Sequence, residues 1–232
     1  MNPTSPSARP AHQPSGPQTE TDTAQDTTPG PAKSAGSAPG TGKGRRRQRW
    51  SAGDLSLIAV FAALLAASIA VPGVNVGPLG VAITLQTLVV TLCGLVLGLG
   101  RGTAAVGLYI LLGLVGLPIF SGFRAGPAVL ASPSAGYIVG FIFGVAVVGL
   151  LARWALLRRV KAVALFGAAL AGMVVIHVFG IAGLVFKGMG LGTAITADAI
   201  FLPGDILKCL IAVAIALSLH RAFPDLLLRR RR

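Results

Sequence analysis

The chain is poor in charge. Asp, Glu, Lys and Arg make up 12% of its 232 residues, about half the share of a soluble domain. That excludes an ordinary water-soluble globule for most of its length. Cysteine is nearly absent: Cys93 and Cys209 both fall inside apolar runs, with neither a metal-ligand spacing nor a disulfide framework. They read as small buried hydrophobes. Catalytic constellations are missing too. There is no Ser–His–acid candidate set, no HExxH and no pair of carboxylates within one span, so nothing supports an enzyme, and no cofactor is implied. The segment Gly40-Thr41-Gly42-Lys43-Gly44 is not a phosphate loop. The required earlier glycine is Ser37, the position after the lysine is Gly44 rather than Ser or Thr, and no strand precedes it.

What is present is apolar length. Hydrophobic residues reach 53% and sit in long runs with short interruptions, and about 18 such residues cross a bilayer core as a helix. The spacing predicts an all-α polytopic membrane protein with six transmembrane helices, at about 54–72, 82–99, 102–117, 134–153, 162–187 and 204–222. The organisation expected is a disordered, basic-ended tail over 1–50, a six-helix domain over 51–224 and a basic tail over 225–232. Residues 1–44 are rich in Pro, Gly, Ser, Thr and Ala and cannot bury enough apolar surface to offset their ordering entropy. They also lack the apolar core of a signal peptide.

Twelve of the twenty Lys and Arg lie in residues 1–50 or 221–232. The formal charge of +13 therefore marks membrane flanks rather than a nucleic-acid partner. With six spans, the Arg45–Arg49 cluster, Arg101, Arg153, Arg158, Arg159, Lys161 and Arg229–Arg232 fall on one side. By the positive-inside bias that side is the cytoplasm, with both termini there in a cell inner membrane. The outer loops are then 73–81, 118–133 and 188–203.

Polar residues inside such a domain are the functional candidates. Asp205 and Lys208 are three apart on one face of the sixth helix, after Pro203-Gly204. They form either a structural pair or a binding site near the outer leaflet. Thr84, Thr87 and Thr91 share a stripe of the second helix, with Gln86 turned away from it and facing the bundle. The loop 118–133 carries Phe120, Phe123 and Arg124 and could close over an outward cavity. Arg124 either clamps a carboxylate or reaches headgroup phosphates. Tyr137 lines the same cavity or joins the interfacial aromatic belt. His177 has no second metal ligand at spacing and reads as a satisfied packing residue; Asp198 reads as solvated. On the first helix, Ala59/Ala63 and Ala62/Ala66 recur four apart, a small face suited to close helix packing within the bundle or against another membrane subunit.

At these residues the chain resembles the BioY family, the biotin-specific S components of energy-coupling factor transporters. The likeness runs over about 54–222. It is carried by Thr84-Leu85-Gln86-Thr87, Gly116-Leu117-Pro118-Ile119-Phe120, Gly136-Tyr137 and Leu202-Pro203-Gly204-Asp205-Ile206-Leu207-Lys208. One segment departs: Ser132-Pro133-Ser134-Ala135-Gly136-Tyr137 stands where the family has Gly-Pro-Thr-Gly-Gly-Tyr. The resemblance implies an S-component bundle that takes biotin from outside. Its partners would be a transmembrane T component, docking on Ala59, Ala63, Ala62 and Ala66, and a pair of cytoplasmic ATPases. Asp205, Lys208, Gln86, Thr84, Tyr137 and Arg124 are the expected biotin contacts, with Arg124 suited to the carboxylate. The remaining readings are an S component for another vitamin, or a membrane scaffold whose Asp205–Lys208 pair is structural.

Overall fold

A computed structural model describes residues 50–71, 73–75 and 82–224. The two basic tails, and most of the first outer loop, lie outside the described residues. The described chain is helical: α1 (Ala52–Ala67), α2 (Gln86–Val115), α3 (Ala135–Ala155), α4 (Lys161–Phe186), α5 (Leu191–Ala199) and α6 (Leu202–Ala222). All but α5 belong to runs long and apolar enough to cross a membrane, which makes five candidate spans among the described residues. A two-residue antiparallel ribbon pairs Val74–Asn75 (β1) with Ala82–Ile83 (β2).

The α1 start is set by a capping box. The Ser51 hydroxyl accepts from the Asp54 amide, and the Asp54 carboxylate accepts from the Ser51 amide. Ile58, Phe61, Ala62 and Leu65 then turn inward at helical spacing.

The second and third predicted spans are the two limbs of α2, 86–97 and 99–115. Gly98 breaks the run with φ 76° and ψ −173°, a conformation essentially restricted to glycine. The limbs fold back on each other. A Cβ on Gly102 would lie 2.7 Å from the Cys93 carbonyl oxygen, and the Gln86 side-chain amide donates to the Tyr109 hydroxyl. In a straight helix those last two residues would be about 35 Å apart. The carbonyls freed by the break find new donors: Arg101 Nε donates to Leu97 O (3.3 Å), and His220 of α6 meets Leu95 O (2.9 Å). Arg101 also pairs with Asp54 at 3.2 Å. The start of α1, the turn of α2 and the end of α6 therefore lie at one end of the bundle.

Two boundaries differ from expectation. The second span begins at Gln86 rather than 82, because the Thr84 hydroxyl accepts from the Gln86 amide (3.3 Å) and holds the residues before it extended. The last outer loop is not irregular throughout: residues 191–199 form α5 and bury Ala194 and Asp198.

The closest helix contact joins α3 to α4 through glycines. A Cβ on Gly140 would come 3.0 Å from Ile176 O, and one on Gly183 would come 2.7 Å from the Gly136 Cα. These backbones touch, as small residues allow where lipid provides no hydrophobic drive between helices. The outward faces are apolar, as at Leu111, Val163, Val174, Val178 and Leu210, which suits lipid contact.

Gly98→Ala is expected to lower thermal stability in detergent by about 1–3 kcal/mol. Gly107→Ala, where an added Cβ meets nothing within 4 Å, should leave it unchanged or raise it. Equal melting midpoints for the two variants would show that the turn tolerates a side chain.

Candidate functional site

Opposite the Asp54–Arg101 end, a cavity of about 630 Å³, counting its open mouth, is enclosed by α2, the 118–134 loop, α3, α4 and α6. Asp205, Lys208, Arg124, Gln86, Thr84 and Tyr137 all line it. Its apolar wall comes from Phe120, Ile138, Phe141, Ile176 and Phe201.

Asp205 sits in the first turn of α6, after Pro203 has opened the helix, where the positive end of the helix dipole favours a carboxylate. It is 4% exposed. Its Oδ1 accepts from Thr87 Oγ1 (2.8 Å) and from Lys208 Nζ (2.8 Å), and Lys208 also donates to Thr87 Oγ1 (3.2 Å). These three groups close a ring of charge-assisted bonds across α2 and α6. The ammonium has three protons and two are used here.

Gln86 is buried between two hydroxyls, accepting from Thr84 Oγ1 (3.2 Å) and donating to Tyr109. The expected stripe of three threonines with Gln86 on another face is therefore corrected. Thr84 precedes the helix and bonds Gln86, Thr91 bonds its own backbone at Thr87 O (2.8 Å), and Thr87 and Gln86 face the same cavity.

The outer loop is packed, not free. Phe120 is 1% exposed and meets Tyr109 edge-on at 5.6 Å between ring centroids. Tyr109 donates to Ile119 O (2.9 Å), and the Gly126 amide to Gly113 O (2.8 Å). Phe123 points outward, and Lys187 donates to Leu130 O and Ala131 O. Arg124 spans from the loop to α3: Nε donates to Ser121 O (2.9 Å) and Nη2 to Ser134 Oγ (2.8 Å). Three of its five N–H groups remain for a ligand. Ser134 stands in the segment that departs from the family pattern, and its hydroxyl is the Arg124 acceptor.

Two residues read as bystanders are built into the site. Asp198 is not solvated. It is 4% exposed, accepts from Tyr137 Oη (2.7 Å), and lies 2.8 Å from His177 Nδ1. His177 is not merely packed, since its Nε2 lies 3.3 Å from Asp205 Oδ2. Tyr137 is a cavity residue rather than a belt residue: its hydroxyl is committed to Asp198, and its ring contacts Phe201 and His177. A sequence signal for this was available, because residues 50–224 hold just three acids, Asp54, Asp198 and Asp205.

The alanine pairs of α1 separate. Ala59 and Ala63 are exposed, whereas Ala62 is 4% exposed and packed inside the bundle and Ala66 is half-buried. Ala62 and Ala66 therefore do not form a second outward face.

Fold and site define a polytopic membrane protein with a cavity that carries both an apolar wall and buried polar groups. The BioY family model matches residues 44–225. The biotin transporter BioY of Rhizobium etli is 39% identical over 177 residues, covering 74% of this chain and 95% of that protein. That of Rhodobacter capsulatus is 38% identical over 192 residues, covering 76% and 98%. The crystal structure of an S-component for biotin from an ECF-type ABC transporter superposes with a TM-score of 0.69 at 26% identity, over 73% of this chain and 91% of that one. The chain belongs to the BioY family.

Lys208→Met leaves Asp205 short of its cation and is expected to cost roughly 3–5 kcal/mol of stability. Adding Asp205→Asn should restore at least half of that, as read from melting of the ligand-free protein in detergent. Additive losses would show that the two side chains act independently.

Proposed function

We propose that this chain is the biotin-capturing membrane subunit of an importer of the energy-coupling factor type, taking the vitamin from the outer side. It is a transport subunit and not an enzyme. The observation that carries this reading is the Asp205–Lys208–Thr87 ring, with Asp205 buried, lining a cavity that Arg124 also lines. The chemistry matches biotin. The ureido group offers an N–H donor to Asp205 and a carbonyl to the spare proton of Lys208, or to Gln86. The sulfur-containing ring needs the apolar wall of Ile138, Phe141 and Phe201. The valerate carboxylate meets Arg124. Because Asp205 and Lys208 offset each other, a further cation is needed for that carboxylate in a low-dielectric site, and Arg124 supplies it with fork geometry. Thr84 holds Gln86, and Tyr137 gives a ring face.

The start of α1, the α2 turn and the end of α6 share one end with Arg101, and Arg153, Arg158 and Arg159 lie in or just after the last turn of α3. This supports cytoplasmic termini in the cell's inner membrane, with the cavity facing outward. The partners are a T component seated on the exposed Ala59/Ala63 face of α1, where small residues permit close approach, and a pair of cytoplasmic ATPases. The sequence holds no phosphate loop, so an ATP-driven step would fall to such partners.

Purified wild type should bind biotin in calorimetry, and Asp205→Asn should bind roughly tenfold to a hundredfold more weakly. Wild type should also prefer biotin to biotinamide, a preference that Arg124→Ala abolishes. Wild type that ignores biotin but binds another vitamin would reassign the substrate, and binding of no vitamin would return the pair to a structural role. Ala59→Leu with Ala63→Leu should leave biotin binding intact while cutting cellular uptake; unchanged uptake would remove that face as the docking surface.

A further inference from the structure

Behind the Asp205–Lys208 pair runs a second acid–base chain. The Tyr137 hydroxyl of α3 donates to Asp198 Oδ1 (2.7 Å), and His177 Nδ1 of α4 lies 2.8 Å from the same oxygen. The other ring nitrogen, Nε2, lies 3.3 Å from Asp205 Oδ2, and it has no hydrogen-bond partner among the described residues. An ionised carboxylate only accepts, so Nδ1 points its hydrogen at Asp198. A bare Nε2 would then set its lone pair against a carboxylate oxygen in a buried position. A proton on Nε2 turns that repulsion into attraction.

Charge leads to the same answer. Asp198, Asp205 and Lys208 sum to −1, and net charge is costly at this depth; an imidazolium brings the cluster to zero. The neighbouring elements offer no substitute. The α2 helix presents Thr87 and Thr91, α3 presents Tyr137, and α6 adds Cys209 beside Lys208. Arg124, the other cation on the cavity wall, bonds Ser121 and Ser134.

We infer that His177 is an imidazolium held between Asp198 and Asp205, and that it acts as a positioning residue leaving Asp205 a single acceptor site for ligand. This rests on Asp205 being a biotin contact. A carboxylate offers about four lone-pair sites. Thr87 and Lys208 take two on Oδ1, and a protonated His177 Nε2, 3.3 Å from Oδ2, takes one there. One remains, on Oδ2. The site therefore reads one N–H together with the adjacent carbonyl, which goes to the third proton of Lys208. The chemical class recognised is a cis-amide edge, of which a cyclic urea has two.

The test labels the histidine ring nitrogens with ¹⁵N in the full-length protein and assigns the His177 signals with His177→Gln. At pH 7 both nitrogens should fall in the protonated range. In Asp198→Asn they should split into a protonated and a bare nitrogen, with biotin affinity down about tenfold. Of the two biotin analogues in which one ureido N–H is replaced by CH₂, one should bind wild type within about threefold of biotin. A bare nitrogen on His177 in the wild type at pH 7 would overturn the imidazolium, whether or not the Asp198 variant folds. Tenfold or greater losses for both analogues would overturn the single-site count. Absence of biotin binding by wild type would count against the functional reading alone, since the nitrogen shifts still decide the state of His177.

Discussion

A carboxylate inside a membrane domain has no bulk water to satisfy it, and the cost of leaving it bare is several kcal/mol. Asp205 meets that requirement with donors from Thr87 of α2 and its own neighbour Lys208, and with His177 of α4 placed 3.3 Å from its second oxygen. Much of the outer half follows from this demand. His177 is held in turn at its other nitrogen, which lies 2.8 Å from Asp198. That residue lies near the end of α5, where the helix dipole disfavours an acid, and its charge is answered by Tyr137 of α3. The satisfaction of one buried group thus ties α2, α3, α4, α5 and α6 together around a common space.

The other half of the molecule supplies the scaffold that makes this convergence possible. The reversal at Gly98 leaves α2 with a first limb of residues 86–97, too short to span a bilayer core on its own at about 1.5 Å per residue. The extended residues Ala82–Ile83 precede it in the chain. Gln86 and Thr87 consequently fall at the top of a helix rather than along its side, beside Asp205. At the opposite end, Arg101 and His220 cap the carbonyls that the reversal exposes, so the break is stitched to α1 and α6.

Much of this was legible in the residues. The six apolar stretches, the Pro203-Gly204 start of α6 and the Asp205–Lys208 spacing all follow from periodicity and from the cost of charge in lipid, and the six expected ligand contacts share one cavity. What stayed hidden depended on tertiary partners. Nothing in the local sequence says that Asp198 and His177 meet, because they are 21 residues apart on different helices. Their scarcity was the usable hint: three acids in residues 50–224, each with a basic partner in the structure. Helicity of residues 191–199 was likewise masked by the shortness of the segment and by Gly188, Gly190 and Gly192 at its start. The alanines of α1 share four-residue spacing, but which pair turns outward was decided by Phe61 and Leu65 packing inward.

The glycine contacts between α3 and α4 set one further property. Gly136, Gly140, Gly180 and Gly183 lie at the level of Tyr137, Phe141 and His177, so the gap between these two walls is fixed by main chain resting on main chain. Side chains can rotate to widen a space; touching backbones cannot draw nearer, and they part only if the helices move as bodies. The chamber consequently has the stiffness of a mould along this direction, its width there set by the helices as bodies and not by the rotamers of its lining.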